Sequence, residues 1–194
     1  MNIVIENPSE LDIPELERIC LLTADSGKDG THLYSDKALV GQIYLTPYVL
    51  FDPSCCFVAK LDGKIVGYIV GCYDSKAFYK YLNNEFLPSI RNKFTTAITQ
   101  SDKNIVSMIQ NGVEAEFYPQ AQAHLHIDIL PEGQHLGLGR KLIDTFTQNL
   151  KNHQINSVYL GVGAKNTNAQ AFYKKMGFST FIEKPWGLVL IKNF

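Results

Sequence analysis

The 194-residue chain carries no surplus of charge: 18 Lys and Arg stand against 19 Asp and Glu, a formal net charge of -1. Without a basic field there is no general attraction to nucleic acid or to an anionic membrane surface, so partners are expected to be small or locally recognised. Long apolar runs are absent too. No stretch approaches the roughly 18 apolar residues of a spanning helix, and the start, Met-Asn-Ile-Val-Ile-Glu, lacks a basic region followed by an apolar one. A cytoplasmic protein is the expectation. The four cysteines, Cys20, Cys55, Cys56 and Cys72, show no CxxC spacing. Cys55 and Cys56, being adjacent, would point to opposite faces of a strand, which suits free buried thiols and neither disulfides nor a metal site. Two phosphate-binding signatures are missing as well. Arg140-Lys141-Leu142 follows the last glycine where a P-loop would have Lys-Ser/Thr, and Leu142 stands where a dinucleotide fingerprint needs its third glycine.

What is present concentrates in residues 124 to 143, His-Leu-His-Ile-Asp-Ile-Leu-Pro-Glu-Gly-Gln-His-Leu-Gly-Leu-Gly-Arg-Lys-Leu-Ile. An apolar strand runs through Pro131 into a Gly-rich turn and then a helix. Gly137 and Gly139 permit backbone angles closed to other residues and a close approach by a ligand, while the first turn of the helix offers unpaired N–H groups and a partial positive charge. The segment reads as an anion cradle sized for a pyrophosphate. Around it, 45% hydrophobic and 19% charged residues are ordinary for a folded domain with its own core. Cys55 to Leu61 and Lys64 to Cys72 are β-rich runs joined by Asp62-Gly63, a strong hairpin signal.

Gln134-x-x-Gly137-x-Gly139 after Ile129-Leu130-Pro131 resembles the pyrophosphate loop of GNAT-type N-acetyltransferases, which use acetyl-coenzyme A. Downstream, Asn166-Thr-Asn-Ala169-Gln-Ala-Phe172-Tyr173-Lys-Lys-Met-Gly177-Phe178 resembles the second signature of that family, an Asn seven positions before a Tyr with Gly-Phe closing the helix. Ala169, Phe172, Tyr173 and Met176 share one helical face, and Gly177 suits a left-handed cap. The strand and helix order read from pattern agrees: a strand over 3 to 6, helices after Ser9 and over 35 to 45, the hairpin, a strand over 124 to 130, and a helix over 138 to 152. A strand over 156 to 162, the Tyr173 helix and two strands over 178 to 183 and 187 to 192 complete it. The fold class implied is α/β, an α+β mixed sheet, mostly antiparallel and twisted, flanked by helices as one GNAT-like domain over residues 1 to 194. A helical insertion over about 74 to 117, with helices around 75 to 83 and 90 to 100, precedes the motif strand. Its aromatics, among them Phe78, Tyr79, Tyr81, Phe86, Phe94, Phe117 and Tyr118, either pack it onto the sheet or wall an acceptor pocket. Insertion and Tyr118-Pro119 together resemble the acetyltransferase-like domain of protein O-GlcNAcases.

The resemblance implies acetyl-coenzyme A as cofactor. Ile127, Ile129 and Leu130 would offer backbone to its pantetheine arm beside Asp128. Gln134, His135, Leu136, Gly137, Leu138, Gly139 and Arg140 would surround its pyrophosphate, and Asn166 would complete the contacts. It also implies that Tyr173 donates the proton taken by the departing thiolate. The phenol is neutral and able to donate at pH 7. For the base, His124, His126 and Asp128 share one strand face by alternation, so His126 and Asp128 could draw a proton from the acceptor, or all three could be satisfied structural groups. Glu114 and Glu116 are weaker candidates. Some GNATs carry a glutamate five residues before the Asn, a position that is Gly161 here. The acceptor would be a small-molecule or peptide amine, and the protein a monomer or homodimer. A cofactor-binding module without turnover, or an interaction protein working through its aromatic insertion, are the other classes compatible with the sequence.

Overall fold

The computed structural model describes residues 2–114 and 117–194. Seven strands form one sheet: β1 (Ile3–Glu6), β2 (Cys56–Leu61), β3 (Lys64–Cys72), β4 (Ala123–Ile129), β5 (Ser157–Gly163), β6 (Ser179–Lys184) and β7 (Gly187–Asn193), in the spatial order β1-β2-β3-β4-β5-β7-β6. Neighbours pair antiparallel except β4 and β5, which run parallel. The helices are α1 (Ile13–Thr23), α2 (Gly41–Tyr44), α3 (Thr46–Phe51), α4 (Ser75–Tyr81), α5 (Leu87–Ile90), α6 (Gln100–Asn111), α7 (Leu138–Asn152) and α8 (Thr167–Lys175). The first six cover one face of the sheet, and α7 and α8 the other.

Local chemistry explains most boundaries. Ahead of α1 the Asp12 carboxylate accepts from both Ser9 N and Ser9 Oγ, while Asp12 N donates to Ser9 O, which fixes the turn that enters the helix. At the β2–β3 turn, Asp62 and Gly63 both take positive φ, 49° and 84°, the pair of left-handed residues that matches strand twist in a two-residue hairpin. Cys55 and Cys56 do face opposite sides, one in each core, and all four thiols are free and buried. In α7, Leu138, Leu142, Ile143, Phe146 and Leu150 recur at helical spacing and bury against the sheet.

Two expected helices shift. Instead of one helix over 35 to 45, α2 and α3 are short and broken at Leu45, whose φ of -137° leaves the helical region. Pro47 sits in the first turn of α3, because a proline tolerates that turn but not a helix interior. Residues 37 to 40 form turns, with the Asp36 carboxylate accepting from Ala38 N. The helix expected over 90 to 100 is displaced: 91 to 99 is irregular and α6 begins at 100. Thr99 sets that start, its hydroxyl accepting from Asp102 N while Asp102 accepts from Thr99 N. Asp102, fully buried, also accepts from Ser35 N, Ser35 Oγ and Ile98 N, which ties α6 to the loop before α2.

The insertion is core. A single π-helical turn, Leu82–Phe86, joins α4 to α5, and Phe78, Leu82, Phe86, Leu87, Phe94, Ile105 and Ile109 are all buried in the cluster beneath α1 to α3. Only Phe117, 48% exposed, stands out of the aromatics proposed as a working surface. Reading the insertion as an interaction face is therefore overturned for Phe78, Phe86 and Phe94, whose rings are needed inside.

Candidate active site

β4 and β5 pair over only two residue pairs, Ala123 with Val158 and His124 with Tyr159, although each strand continues to Ile129 and Gly163. On its other edge β4 stays paired with β3 along its length. The sheet therefore opens between Leu125–Ile129 and Leu160–Gly163, and the second half of β4 changes from buried to half-buried where it opens. This is a slot with strand backbone along its side, the kind of edge to which an extended amide chain can add.

The Gly-rich turn sits at the end of that slot. His135 and Gly137 both take left-handed φ, 60° and 76°, and Gly137 is the residue before α7. A Cβ built on Gly137 meets nothing within 4 Å, so the space beside it is open. The first turn of α7 carries no acidic residue and holds the exposed Arg140 and Lys141, an arrangement unfavourable to the helix dipole unless an anion lies there. Gly139 has a different reason for being glycine: its Cβ would lie 2.9 Å from the Phe172 ring, so it permits α7 and α8 to touch. Gln134 is tied back, its Nε2 donating to Ile129 O at 3.0 Å. Leu138 and Leu130 bury their side chains, leaving only backbone to offer. Ile127 and Ile129 pack on the α7 side, as does half-buried Leu136.

Tyr173 projects from α8 into this region, 7% exposed, between Phe172 and Phe178. No buried side-chain oxygen or nitrogen lacks a hydrogen bond among the described residues, and Tyr173 makes none, so its hydroxyl has access to solvent. Burial pushes this phenol up, with the Asp128 charge adding to it, so it stays protonated. Asn166 caps α8, its Oδ1 accepting from Ala169 N at 3.2 Å, which is a structural duty. Its Nδ2 lies 4.0 Å from a Cβ built on Gly27, so the loop between α1 and α2 does reach the site.

The opposite face of β4 holds a buried polar column that sequence reasoning found only in part. His124, 3% exposed, puts Nε2 2.8 Å from Tyr48 Oη and Nδ1 2.7 Å from Ser75 Oγ. His126, half-buried, puts Nε2 3.1 Å from the same Tyr48 oxygen, with the Tyr44 ring edge-on at 5.5 Å. Asp128 accepts from Tyr68 Oη at 2.6 Å. Burial holds His126 down at about 4 and His124 well below the usual imidazole range, so both are neutral at pH 7. Burial raises the Asp128 carboxyl, opposed by Tyr68 and Thr23. Both ring nitrogens of His124 are engaged by neighbours, whereas His126 Nδ1 makes no hydrogen bond among the described residues. Glu114 is exposed beside Arg91 and Asn83, in a groove of its own, and Glu116 lies outside the described residues. Gly161 carries the Trp186 ring, 3.0 Å from a Cβ built there, so an exposed aromatic (49%) fills the place where a glutamate would be. Tyr48, Ser75, Tyr44 and Trp186 gave no sequence signal, since each joins the site through contacts distant in the chain.

Residues 21–178 match the family model described as Acetyltransferase (GNAT) family. Among solved structures, SsHAT is 28% identical over 100% of this chain and 98% of its own, with a TM-score of 0.91. The PaiA N-acetyltransferase from Thermoplasma acidophilum, in complex with coenzyme A, is 15% identical over 100% of both chains with a TM-score of 0.64. A chain of the NatC complex bound to Gag peptide and CoA is 13% identical over 100% of this chain and 99% of that one, at 0.58.

Proposed function

The chain belongs to the acetyltransferase (GNAT) family, and from that premise we propose that it moves acetyl from acetyl-coenzyme A to a primary amine, by direct attack with both reactants bound at once. The observation that carries this reading is the parting of β4 from β5 beside the open helix start at Gly137. Leu125–Ile129 would hold the pantetheine arm through backbone, and the N–H groups of Leu138, Gly139 and Arg140 would hold the pyrophosphate. Acetyl-coenzyme A, when bound, supplies the acetyl thioester.

The residues of this chain do the rest. Strand backbone and the α7 turn position the thioester, and positioning is the largest contribution available, with effective molarities of about 10⁵ to 10⁸ M for well-aligned reactants. His126, neutral at pH 7, takes a proton from the attacking amine, and Asp128, hydrogen-bonded to Tyr68, holds the strand face beside it. Tyr173, protonated and without a hydrogen-bond partner among the described residues, delivers a proton to the departing sulfur. The acceptor is a small-molecule or peptide amine that enters on the face of Tyr44, His126 and Trp186. The finer likeness to the acetyltransferase-like domain of protein O-GlcNAcases rests on the insertion and Tyr118-Pro119, and we extend the reading to one functional unit across the chain. Coenzyme A release measured against a panel of amines tests the proposal. Saturable release with any amine supports it, and tight acetyl-coenzyme A binding without turnover across the panel would make the protein a binding module.

A further inference from the structure

Tyr48 Oη lies within hydrogen-bond distance of two imidazole nitrogens, His124 Nε2 at 2.8 Å and His126 Nε2 at 3.1 Å, and has a single proton to give. Which nitrogen receives it follows from the other end of the column. Ser75 Oγ lies 2.7 Å from both Gln122 O and His124 Nδ1. A carbonyl oxygen can only accept, so the Ser75 hydroxyl proton goes to Gln122 O. His124 Nδ1 must then carry the proton it donates to Ser75 Oγ, with Cys72 Sγ at 3.2 Å as a second, weaker acceptor.

His124 is buried and neutral, so protonation at Nδ1 leaves Nε2 bare, and Tyr48 O–H donates to it. The Tyr48 oxygen is then an acceptor toward His126, whose Nε2 must carry the proton. The reverse ordering fails at one place. It would leave the Ser75 and Gln122 oxygens facing each other at 2.7 Å with no proton between them. Gln122 O already accepts from Ser75 N at 2.9 Å, so the penalty of that ordering is lone-pair repulsion between two oxygens held closer than they approach without a shared proton.

We infer that Ser75, His124 and Tyr48 form a directed hydrogen-bond relay that fixes His126 in the tautomer protonated at Nε2, leaving Nδ1 as a bare lone pair open to the slot. Nδ1 makes no hydrogen bond among the described residues. None of their buried side-chain nitrogens is unsatisfied, so it has access to solvent. His126 lies just past the last β4–β5 pair, where the strands part. The relay members are positioning residues, and the inference rests on the acetyl-transfer reading for its chemical purpose. In that chemistry His126 Nδ1 accepts the proton shed by the amine as its bond to the acetyl carbon forms. Tyr173 gives up the proton taken by sulfur as the carbon–sulfur bond breaks. His126 then loses its proton to water and Tyr173 regains one from it, so protons balance over a cycle.

Nitrogen-15 NMR of the histidine-labelled protein, without ligand, reads the tautomer directly. The His126 signals are identified among the five histidines by their loss in His126→Gln. The expected result is a proton on Nε2 and none on Nδ1 of His126, with the opposite pattern on His124. Tyr48→Phe keeps the ring stacked on Phe78 at 4.0 Å and removes the hydroxyl. It should convert His126 to a mixture of tautomers and lower kcat about tenfold, the worth of one hydrogen bond, with KM for acetyl-coenzyme A within about twofold. Ser75→Ala should mix the tautomers of both histidines and serves if Tyr48→Phe does not fold. A proton on His126 Nδ1 in the parent, or a tautomer unmoved by either variant, would overturn the relay. Because the spectrum needs no turnover, a correct tautomer in a protein that acetylates no amine would refute the acetyl-transfer reading and leave the relay standing.

Discussion

Tyr48 and Tyr68 commit their hydroxyls to histidine and aspartate, whereas the Tyr173 hydroxyl makes no hydrogen bond among the described residues and has access to solvent. Removing it should therefore cost turnover and little stability. Tyr173→Phe is expected to lower kcat by about 10² to 10⁴, the usual worth of a general acid, with acetyl-coenzyme A affinity and melting temperature nearly unchanged. Steady-state kinetics with unchanged kcat would remove Tyr173 from the chemistry. The histidines make a prediction about acid. An imidazole held near 4 in the folded protein and about 6.5 when unfolded takes up its proton first in the unfolded chain. Its contribution is complete above pH 6.5 and is lost as pH falls through that window toward 4. His124 acts in the same direction, and the raised Asp128 carboxyl opposes both as it protonates. Urea midpoints should fall between pH 6.5 and 4, and fall less steeply in His126→Gln. Tyr173 is a candidate already from its distance to Asn166 in the sequence, whereas Tyr48 carries no such signal. It lies 76 positions from His124, and no spacing rule relates them.

Helices α7 and α8 approach through Gly139 and Phe172, on the face of the sheet away from the histidine column. Gly139→Leu would push a side chain into that ring, and overpacking of this kind costs about 1–3 kcal/mol. Thermal unfolding should show a drop of roughly 2–4 °C for each kcal/mol lost. An unchanged melting temperature would mean that the two helices can separate freely. The contrast with Gly137 shows how far the sequence could be read. Both glycines look like parts of one cradle, yet only Gly137 borders open space, and Gly139 is set by its tertiary neighbour. Helix α7 fell where its apolar spacing placed it, because one strong face faces the core throughout. The helix expected over 90 to 100 did not, because Phe94 anchors an irregular stretch and the real start is the mutual capping of Thr99 and Asp102.

For the molecule as a whole, the sheet opens between its two parallel strands, flanked by the insertion helices on one face and by α7 and α8 on the other. The insertion cannot be treated as a detachable accessory, since Phe78, Leu82 and Leu87 fill the same core as Leu16 and Tyr68. A chain lacking residues 75 to 114 is expected to fail to fold, as judged by loss of a cooperative unfolding transition. The order of strands and the two motifs were legible because turn chemistry and helical periodicity are local. The face proposed for the acceptor was not, because its residues come together from α2, α3, α4 and the β6–β7 turn. Calorimetric titration with acetyl-coenzyme A, run on the parent and on Gly137→Glu, tests the central claim most directly. Saturable one-to-one binding is expected for the parent and none for the variant, whose carboxylate would occupy the open space before α7. The variant should remain folded, with a destabilisation of about 1–2 kcal/mol from a side chain at positive φ. Equal binding by both, or none by the parent, would contradict it.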